Sequence, residues 1–457
     1  MVVRSKTGRT EMTRLNTPLT TLVKRRSSRP ASAVLTAALI ASTSAIASAD
    51  TAPAPTVESL TTCEATNTET IKIGIMAPMT GPTAADAADY SRAAQIAVDE
   101  LNNAGGVCSG DTRYMLEIET ADATEMRNDA VVTAFRRLNS TDDLNIILSP
   151  YASTSNFEVD LMAQTNMPYI LSGGAESTKT IIGANPDKYP TVWSRVPDYG
   201  GYQTDLPPLL NRFIEEGKLK VSEQTVYIIG SDDPYGTAIA DGLAAAFEGE
   251  GWEVVGRDTV PFQSVSDWRT QLAKIREINP GAIVNTEWSA SGAATFFNQF
   301  NEQPTNSVLF LQYAPSIPEF QNLTRGQASG VIFNMLGGAI DSRDDTKAIA
   351  EKFADAHGAG GYFSVVGYNA VHLYSYCLNQ GIDPEDRMAI GECIGNLDID
   401  TPSGRLAFDP ETHLAKQGDE YMPTVFYQLQ GDAVSKIIAP DQYSESEFQQ
   451  PSWMTVE

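Results

Sequence analysis

The sequence predicts an α/β fold with two similar lobes, each built on a mostly parallel sheet. Short apolar runs of roughly four to eight residues alternate along the chain with patterns of helical period. Such near-continuous runs are typical of parallel strands that are buried on both faces. The runs fall into two consecutive series, and the 457 residues of the chain exceed the usual size of one domain. We therefore expect two lobes.

The first series begins at IGIMAP, residues 73–78, which is followed by a loop rich in glycine, proline and small residues. A helical pattern then ends at Gly105-Gly106, so this stretch predicts a strand, a loop and a helix in that order. Further strands are predicted at MLEIETAD, LNIILSP and MPYILSG. We place the join between the lobes near Ser194–Gln203, where a strand pattern ends and a helical one begins.

The second series predicts strands at TVYIIGSD, WEVVGRD, GAIVNTEW, VLFLQYA and GVIFNML. Helical patterns follow at residues 345–357 and 364–380. The chain then continues with GRLAFDP and PTVFYQLQ, between Gly404 and Gln430, and the second of these alternates apolar and polar residues. We expect these last two strands to pair as a hairpin.

The first 49 residues have the pattern of a secretory signal peptide. Four basic residues between Lys24 and Arg29 precede the apolar run Ala33–Ala41, and the segment ends in Ala47-Ser48-Ala49. We expect cleavage after Ala49 and a periplasmic location. The apolar run is much shorter than the roughly 20 residues of a membrane span, so a transmembrane anchor is disfavoured. Arg25-Arg26 leaves twin-arginine export open, although the residues that follow fit the general secretory route better.

The remaining chain is expected to be soluble and strongly acidic. It carries 24 of the 32 basic and 57 of the 58 acidic residues, a net charge of about −33. Such a charge repels nucleic acids and anionic membranes, so neither is an expected partner, and we predict no stable membrane insertion. Residues 50–68 are rich in threonine, alanine and proline and predict a flexible leader.

Four cysteines in an exported chain predict two disulfides. Cys63 precedes the first predicted strand and Cys108 follows the first helix, points that meet at one end of the sheet in a right-handed βαβ unit. Cys377 and Cys393 bracket a short segment between two helices. We predict the pairs Cys63–Cys108 and Cys377–Cys393. A metal site is the alternative, but the chain has three histidines and no CxxC pattern, so we expect none.

The loop after the first strand lacks the patterns of nucleotide sites. Thr80–Asp86 contains neither G-x-G-x-x-G nor G-x-x-x-x-G-K-[ST], whose glycines allow close approach of a phosphate. Patterns of serine hydrolases, zinc proteases and kinases do not occur either. We therefore expect no cofactor and no enzymatic activity. A hydrolase that uses a carboxylate pair such as Asp86 and Glu176 is the alternative.

The stretch IKIGIMAPMTGPTAADAADYSRAAQIAVDELNNAGGV closely resembles the start of the periplasmic type I solute-binding proteins of the branched-chain amino acid and amide ABC transporter family, which includes leucine/isoleucine/valine-binding proteins. The likeness continues through DATEMRNDAVVTAFRRL, VWSRVPDYGGYQ, DDPYG and GYNAVHLY, and spans roughly residues 68–430. It implies two Rossmann-like lobes joined by a hinge of three crossovers, with a ligand clamped between them. The lobes would comprise residues 69–195 with 336–400, and 196–335 with 401–457.

The resemblance implies a set of ligand contacts on the first lobe. Ser153 and Thr154 match the start of a helix where the family binds a ligand carboxylate, and Ala152 takes the place of the serine used by the relative. Ser153 could instead serve only as a helix cap. The other implied contacts are Tyr151, Gly174, Glu176 and, in the Thr80–Asp86 loop, Asp86. Glu176 and Asp86 depart from the family, which has a threonine and an aromatic residue there.

On the second lobe, the resemblance implies a contact at Tyr235 and another at Trp288, where the relative has a tyrosine. Tyr313 is expected to complete an aromatic wall with Tyr151, and Glu287 adjoins Trp288. Core packing is the alternative for each aromatic side chain. The glutamate with which the family binds an ammonium group aligns with Ala314 and is therefore absent.

The implied function is capture of a small polar ligand, an amino acid, an amide or a related compound, and its delivery to the permease and ATPase subunits of an ABC importer. The departures at Asp86, Glu176 and Ala314 put leucine recognition in doubt and favour a ligand with a cationic or donor-rich end, which aromatic rings also attract. The alternative is a ligand-sensing subunit that presents its closed form to a membrane receptor or kinase.

Overall fold

The computed structural model describes residues 51–81, 83–153, 155–173 and 176–455. The predicted signal peptide and its cleavage site lie outside these residues, and so do Thr154 and Gly174. Among the described residues, no helix combines the length and the apolar character that a membrane crossing requires.

The first sheet is the parallel sheet that the first series of apolar runs predicts. Its strands are β1 (Asn67–Ala77), β2 (Val107–Ser109), β3 (Thr112–Asp122), β4 (Leu144–Ser149), β5 (Tyr169–Leu171) and β6 (Val192–Ser194), in the spatial order β2-β3-β1-β4-β5-β6. Every pairing is parallel except that of the edge strand β2 with β3. All six residues of β4 are buried, as expected for a central strand covered on both faces.

The second sheet contains all five strands that the second series predicts. Its strands in chain order are β7 (Thr225–Ser231), β8 (Glu253–Val260), β9 (Ala282–Asn285), β10 (Val308–Leu311), β11 (Ile332–Leu336), β14 (Thr424–Gln430) and β15 (Val434–Ala439). Strands β12 (Asp398–Thr401) and β13 (Gly404–Ala407), which lie between β11 and β14 in the chain, form a separate two-stranded sheet. The spatial order is β15-β14-β11-β10-β9-β7-β8. The strands from β7 to β11 are parallel, and β14 and β15 are antiparallel additions.

The predicted hairpin between Gly404 and Gln430 is wrong. β13 pairs with β12 through a turn at residues 402–403, whereas β14 pairs with β11 on one side and β15 on the other. Strand β14 instead extends the second sheet as an interior strand, and it is therefore buried along its whole length. Its alternating pattern suggested one exposed face, but its glutamines are also buried.

Helices cover both faces of the sheets. They are α1 (Val57–Thr61), α2 (Ala84–Asn103), α3 (Asn128–Asn139), α4 (Glu158–Thr165), α5 (Glu176–Gly183), α6 (Gly200–Thr204), α7 (Leu206–Glu215), α8 (Pro234–Gly249), α9 (Arg269–Ile278), α10 (Ala290–Glu302), α11 (Pro318–Thr324), α12 (Asp344–His357), α13 (Phe363–Asn379) and α14 (Arg387–Gly395). Helices α2 and α13 approach closely: a Cβ added to Gly367 would lie 2.1 Å from the carbonyl oxygen of Tyr90. Helix α13 returns to the first lobe and packs in its hydrophobic core.

The segment expected to be a flexible leader is packed against the first lobe. Thr56 caps α1, Leu60 is buried in the core of that lobe, and Ala52 forms a β-bridge with Ile399. Both predicted disulfides are confirmed, Cys63–Cys108 and Cys377–Cys393. The Cys63–Cys108 bridge ties this segment to β2. The composition of the segment therefore did not reveal that it is held against the lobe.

The chain passes between the two lobes three times, and Arg195 lies at the first passage and contacts the second. This fully buried arginine directly follows β6, and its guanidinium donates to the carbonyl oxygen of Gly337 (3.5 Å) after β11 and to Oγ of Ser403 (2.9 Å) between β12 and β13. The exact lobe boundaries stay a prediction. Phe408 and Met422 pack in the first core, which favours a third passage nearer residue 423 than the predicted 401.

Candidate functional site

A cleft of about 630 Å³ lies where the carboxyl ends of the strands in the two sheets face each other. Loops that follow β3, β4 and β5 line one side, and loops that follow β7, β8, β9 and β10 line the other. Ligands of open α/β sheets bind at this end of the strands. The chain passage at residues 196–199 and the start of α13 form the floor between the two sides.

Among the described residues, nine aromatic side chains line the cleft, and their rings contact one another in a continuous series. The indole of Trp288 stacks on Phe262 with ring centres 4.5 Å apart and meets Tyr235 edge-on at 5.9 Å. The series continues through ring contacts among Tyr199, Tyr202, Tyr313, Tyr362, Phe363 and Tyr151. Members of the series come from both lobes, so a solute in the cleft would contact rings of each.

Asp233 positions two of these rings. Its carboxylate caps α8 by accepting hydrogen bonds from the backbone N–H groups of Tyr235 and Gly236, both at 3.0 Å. The same oxygen accepts a hydrogen bond from the indole N–H of Trp288 at 3.3 Å. The phenol of Tyr235 accepts a further bond from Gln312 at 2.7 Å. The two predicted aromatic contacts of the second lobe therefore lie in the cleft and are held there by polar partners.

Asp86 lies directly behind the aromatic wall. The phenol of Tyr151 donates a hydrogen bond of 2.6 Å to its carboxylate, and the phenol of Tyr313 also contacts it. Burial raises the pKa of Asp86 to about 6, and the hydrogen bonds from the two tyrosines oppose part of this increase. Among the described residues Asp86 has no ion pair with a basic side chain. Its ionised form therefore accepts hydrogen bonds from neutral phenols.

The hydrogen-bonding groups of Ser153 that we expected to be available for a ligand are used within the protein. The backbone N–H of Ser153 donates to Glu158 at 2.8 Å, and its hydroxyl donates to the other oxygen of the same carboxylate. Glu158 is fully buried, and burial raises the pKa of its carboxyl. A carboxylate of the protein thus occupies the hydrogen-bonding groups of Ser153 that the resemblance assigned to a ligand carboxylate.

The remaining predicted contacts divide between the cleft and the protein interior. Ala152, Glu176 and Tyr313 line the cleft, and one oxygen of Glu176 accepts the backbone N–H of Tyr199 at 3.0 Å. Glu287 does not line the cleft: it is buried, and its two oxygens accept N–H groups of Gln263 and Ser289 at 3.0 Å. Its carboxylate stabilises the loop that carries Trp288.

Several lining residues were not predicted. Tyr199 and Tyr202 follow the first chain passage, Tyr362 and Phe363 open α13, and Phe262 follows β8. The dipeptide Tyr362-Phe363 directly follows Gly360-Gly361 and precedes a helix, so its position at an element junction was the available signal. Such junctions lie at the ends of the strands, where sites form.

Comparison with known proteins assigns this architecture. A family model described as periplasmic binding protein matches residues 70–431. The chain belongs to the periplasmic binding protein family. It is 22% identical over 349 residues to the Leu/Ile/Val-binding protein BraC3 of Rhizobium johnstonii, with 76% of this chain and 89% of that protein covered. This is a family of solute-binding proteins and not of enzymes.

Solved structures share the fold of this periplasmic binding protein. A Silicibacter pomeroyi structure assigned to branched-chain amino acid ABC transport is 25% identical, with a TM-score of 0.77, and covers 84% of this chain and 100% of its own. LivJ of Streptococcus pneumoniae, in complex with isoleucine, is 18% identical (TM-score 0.64; 81% and 100% covered). A solute-binding protein of an ABC transporter from R. palustris, in complex with benzoate, is 15% identical (TM-score 0.64; 84% and 100% covered). Membership of the family implies an extracytoplasmic location.

Proposed function

We propose that this periplasmic binding protein captures one small organic solute in its cleft and delivers it to the permease and ATPase subunits of an ABC importer. The observation that carries the proposal is that residues of both lobes, such as Tyr151 and Glu176 on one side and Tyr235 and Trp288 on the other, line a single cavity. A solute that contacts both sides favours the closed arrangement of the lobes and shifts the population towards it.

The solute class is an amino acid, an amide or a related small compound. The names of relatives support this range, since one is a Leu/Ile/Val-binding protein and others were solved with isoleucine or with benzoate. The cavity of about 630 Å³ is within the usual range for small-molecule sites. The aromatic wall supplies apolar contact area, and the acidic groups around it supply hydrogen-bond acceptors.

A thermal-shift screen of the purified protein tests capture. At about 100 times its dissociation constant, a solute that binds only the folded protein adds roughly 2.7 kcal/mol to the free energy of unfolding. We expect at least one amino acid, amide, amine or aromatic acid to raise the melting temperature and to titrate at one solute per chain by calorimetry. Failure of every compound class to bind would contradict the proposal.

Uptake of the bound solute tests delivery. Deleting the gene in the producing cell is expected to reduce uptake of the radiolabelled solute, and restoring it on a plasmid is expected to return uptake to the original rate. Unchanged uptake, together with a changed transcriptional response to the solute, would contradict delivery and support the sensing alternative.

A further inference from the structure

The charge of the cleft is one-sided. Among the described residues that line it, Glu125, Glu176, Asp198 and Asp233 are acidic, and none is lysine, arginine or histidine. Only Asp198 forms an ion pair within the described chain, with Lys179. A bound carboxylate would therefore lie beside like charges without a basic partner, which is unfavourable at close range.

The faces of the aromatic wall are free of the protein's own cations. Where a lysine or arginine of the described chain lies over a ring, the ring is Tyr189, Phe213, Tyr368 or Tyr421. None of these four rings lines the cleft. Rings such as Trp288 and Tyr235 attract an organic cation through their electron-rich faces, and desolvation strengthens the attraction.

Arg195, which adjoins the lining residue Val196, does not supply the missing positive charge. It is fully buried and directed at the chain passages, where it bonds Gly337 and Ser403. Ser153, which the resemblance assigned to a ligand carboxylate, is also occupied, because Glu158 already accepts both its N–H and its hydroxyl. Neither the guanidinium of Arg195 nor the N–H and hydroxyl of Ser153 is therefore free to bind an anionic end.

We infer that the solute is a small organic cation without a carboxylate, such as an alkylamine or a quaternary ammonium compound. It is held against the aromatic wall beside the carboxylate of Glu176, with the carboxylate of Asp86 behind the phenols of Tyr151 and Tyr313. This inference rests on the proposed function and selects, among the related small compounds that it names, those with a positive charge and no carboxylate. The net charge of the chain, −26, also attracts cations towards the protein at low ionic strength.

Calorimetric titration with matched pairs tests the inference. The protein, expressed from the full chain and dialysed, is titrated with 3-methylbutylamine and leucine, with benzylamine and benzoate, and with choline and its neutral analogue 3,3-dimethylbutan-1-ol. In at least one pair the cation is expected to bind about ten-fold or more tightly than its partner, the size of one charge-assisted interaction. Binding of leucine or benzoate without binding of any amine would overturn the inference while leaving solute capture intact. If no cation binds, the inference also fails.

Two substitutions test which carboxylate interacts with the positively charged group of the solute. Asp86→Asn and Glu176→Gln keep the shape of each side chain and remove its charge, and at least one of them is expected to weaken cation binding about ten-fold. Binding of a neutral analogue is expected to change by less than about two-fold. Asp344→Asn, at a fully exposed position of α12, controls for the loss of one negative charge. Unchanged cation affinity in both cleft variants would overturn the inference.

Discussion

The phenol of Tyr151 lies 2.6 Å from a carboxylate oxygen of Asp86 and donates a hydrogen bond to it. Tyr151 follows β4 of the first sheet, and the neighbouring phenol of Tyr313 follows β10 of the second. One carboxylate thus contacts side chains of both lobes at the edge of the cleft. Because no cation accompanies it among the described residues, its charge is costly in the solute-free protein.

Asp86→Asn is expected to stabilise the solute-free protein at pH 7. Burial raises the pKa of Asp86 from 3.8 to about 6, so the folded protein holds this proton more tightly than the unfolded chain does. The stability that Asp86 contributes therefore falls as the pH rises from about 4 to about 6. The substitution should raise the free energy of unfolding at pH 7 by about 3 kcal/mol and change it little at pH 4.

Denaturant unfolding of both proteins at pH 4 and pH 7 measures this difference. Asp89 of α2 also faces Asp86 and raises its pKa, whereas Tyr151 and Tyr313 lower it, so all three are kept unchanged. If Asp86→Asn changed the free energy of unfolding equally at the two pH values, the ionised carboxylate would not destabilise the folded protein.

Two helical glycines are expected to respond to alanine in opposite directions. A Cβ at Gly367 of α13 would lie 2.1 Å from the carbonyl oxygen of Tyr90 on α2, so Gly367→Ala forces the two helices apart and should cost about 1–3 kcal/mol. Gly249, at the end of α8, has no atom within 4 Å of such a Cβ. Gly249→Ala should be neutral or stabilise by up to about 1 kcal/mol. Similar melting temperatures for both variants would contradict the close approach of α2 and α13.

The two disulfides are expected to contribute unequally to stability. The Cys63–Cys108 bridge closes a separation of 45 residues and Cys377–Cys393 one of 16. On the chain-entropy account, replacing each pair by serine should cost about 4 and about 3 kcal/mol respectively. Mass spectrometry of the non-reduced protein should detect no reactive thiol, and peptide mapping should recover these two pairs. Four reactive thiols would contradict the pairing.

The strands were predictable because each is a short apolar run bounded by loop residues, and every predicted run from β1 to β11 forms a strand. The antiparallel addition of β14 beside β11 was not predictable, since pairing between distant segments leaves no local pattern. Gln428 and Gln430 are buried there because they bond to one another and to the final segment of the described chain.

The site was predicted in outline through the resemblance, which placed Tyr235 and Trp288 at the cleft. It did not predict the role of Glu158, because an acidic residue in the first turn of a helix is usually a solvated one that favours the helix dipole. Glu158 is buried and accepts hydrogen bonds from the backbone N–H and the hydroxyl of Ser153, contacts that the local pattern does not show. The aromatic residues on the chain passages were missed for a related reason, since tertiary packing and not local sequence directs them to the cleft.

The dissociation constants of Tyr235→Ala and Trp288→Ala variants test whether this cleft binds the solute. For the tightest solute found in the screen, calorimetry should show affinity reduced about ten-fold or more in each variant, since each loses a large ring of the wall. Circular dichroism and melting temperature establish that the variants are folded. Affinity within about two-fold of the unaltered protein in both folded variants would contradict the account.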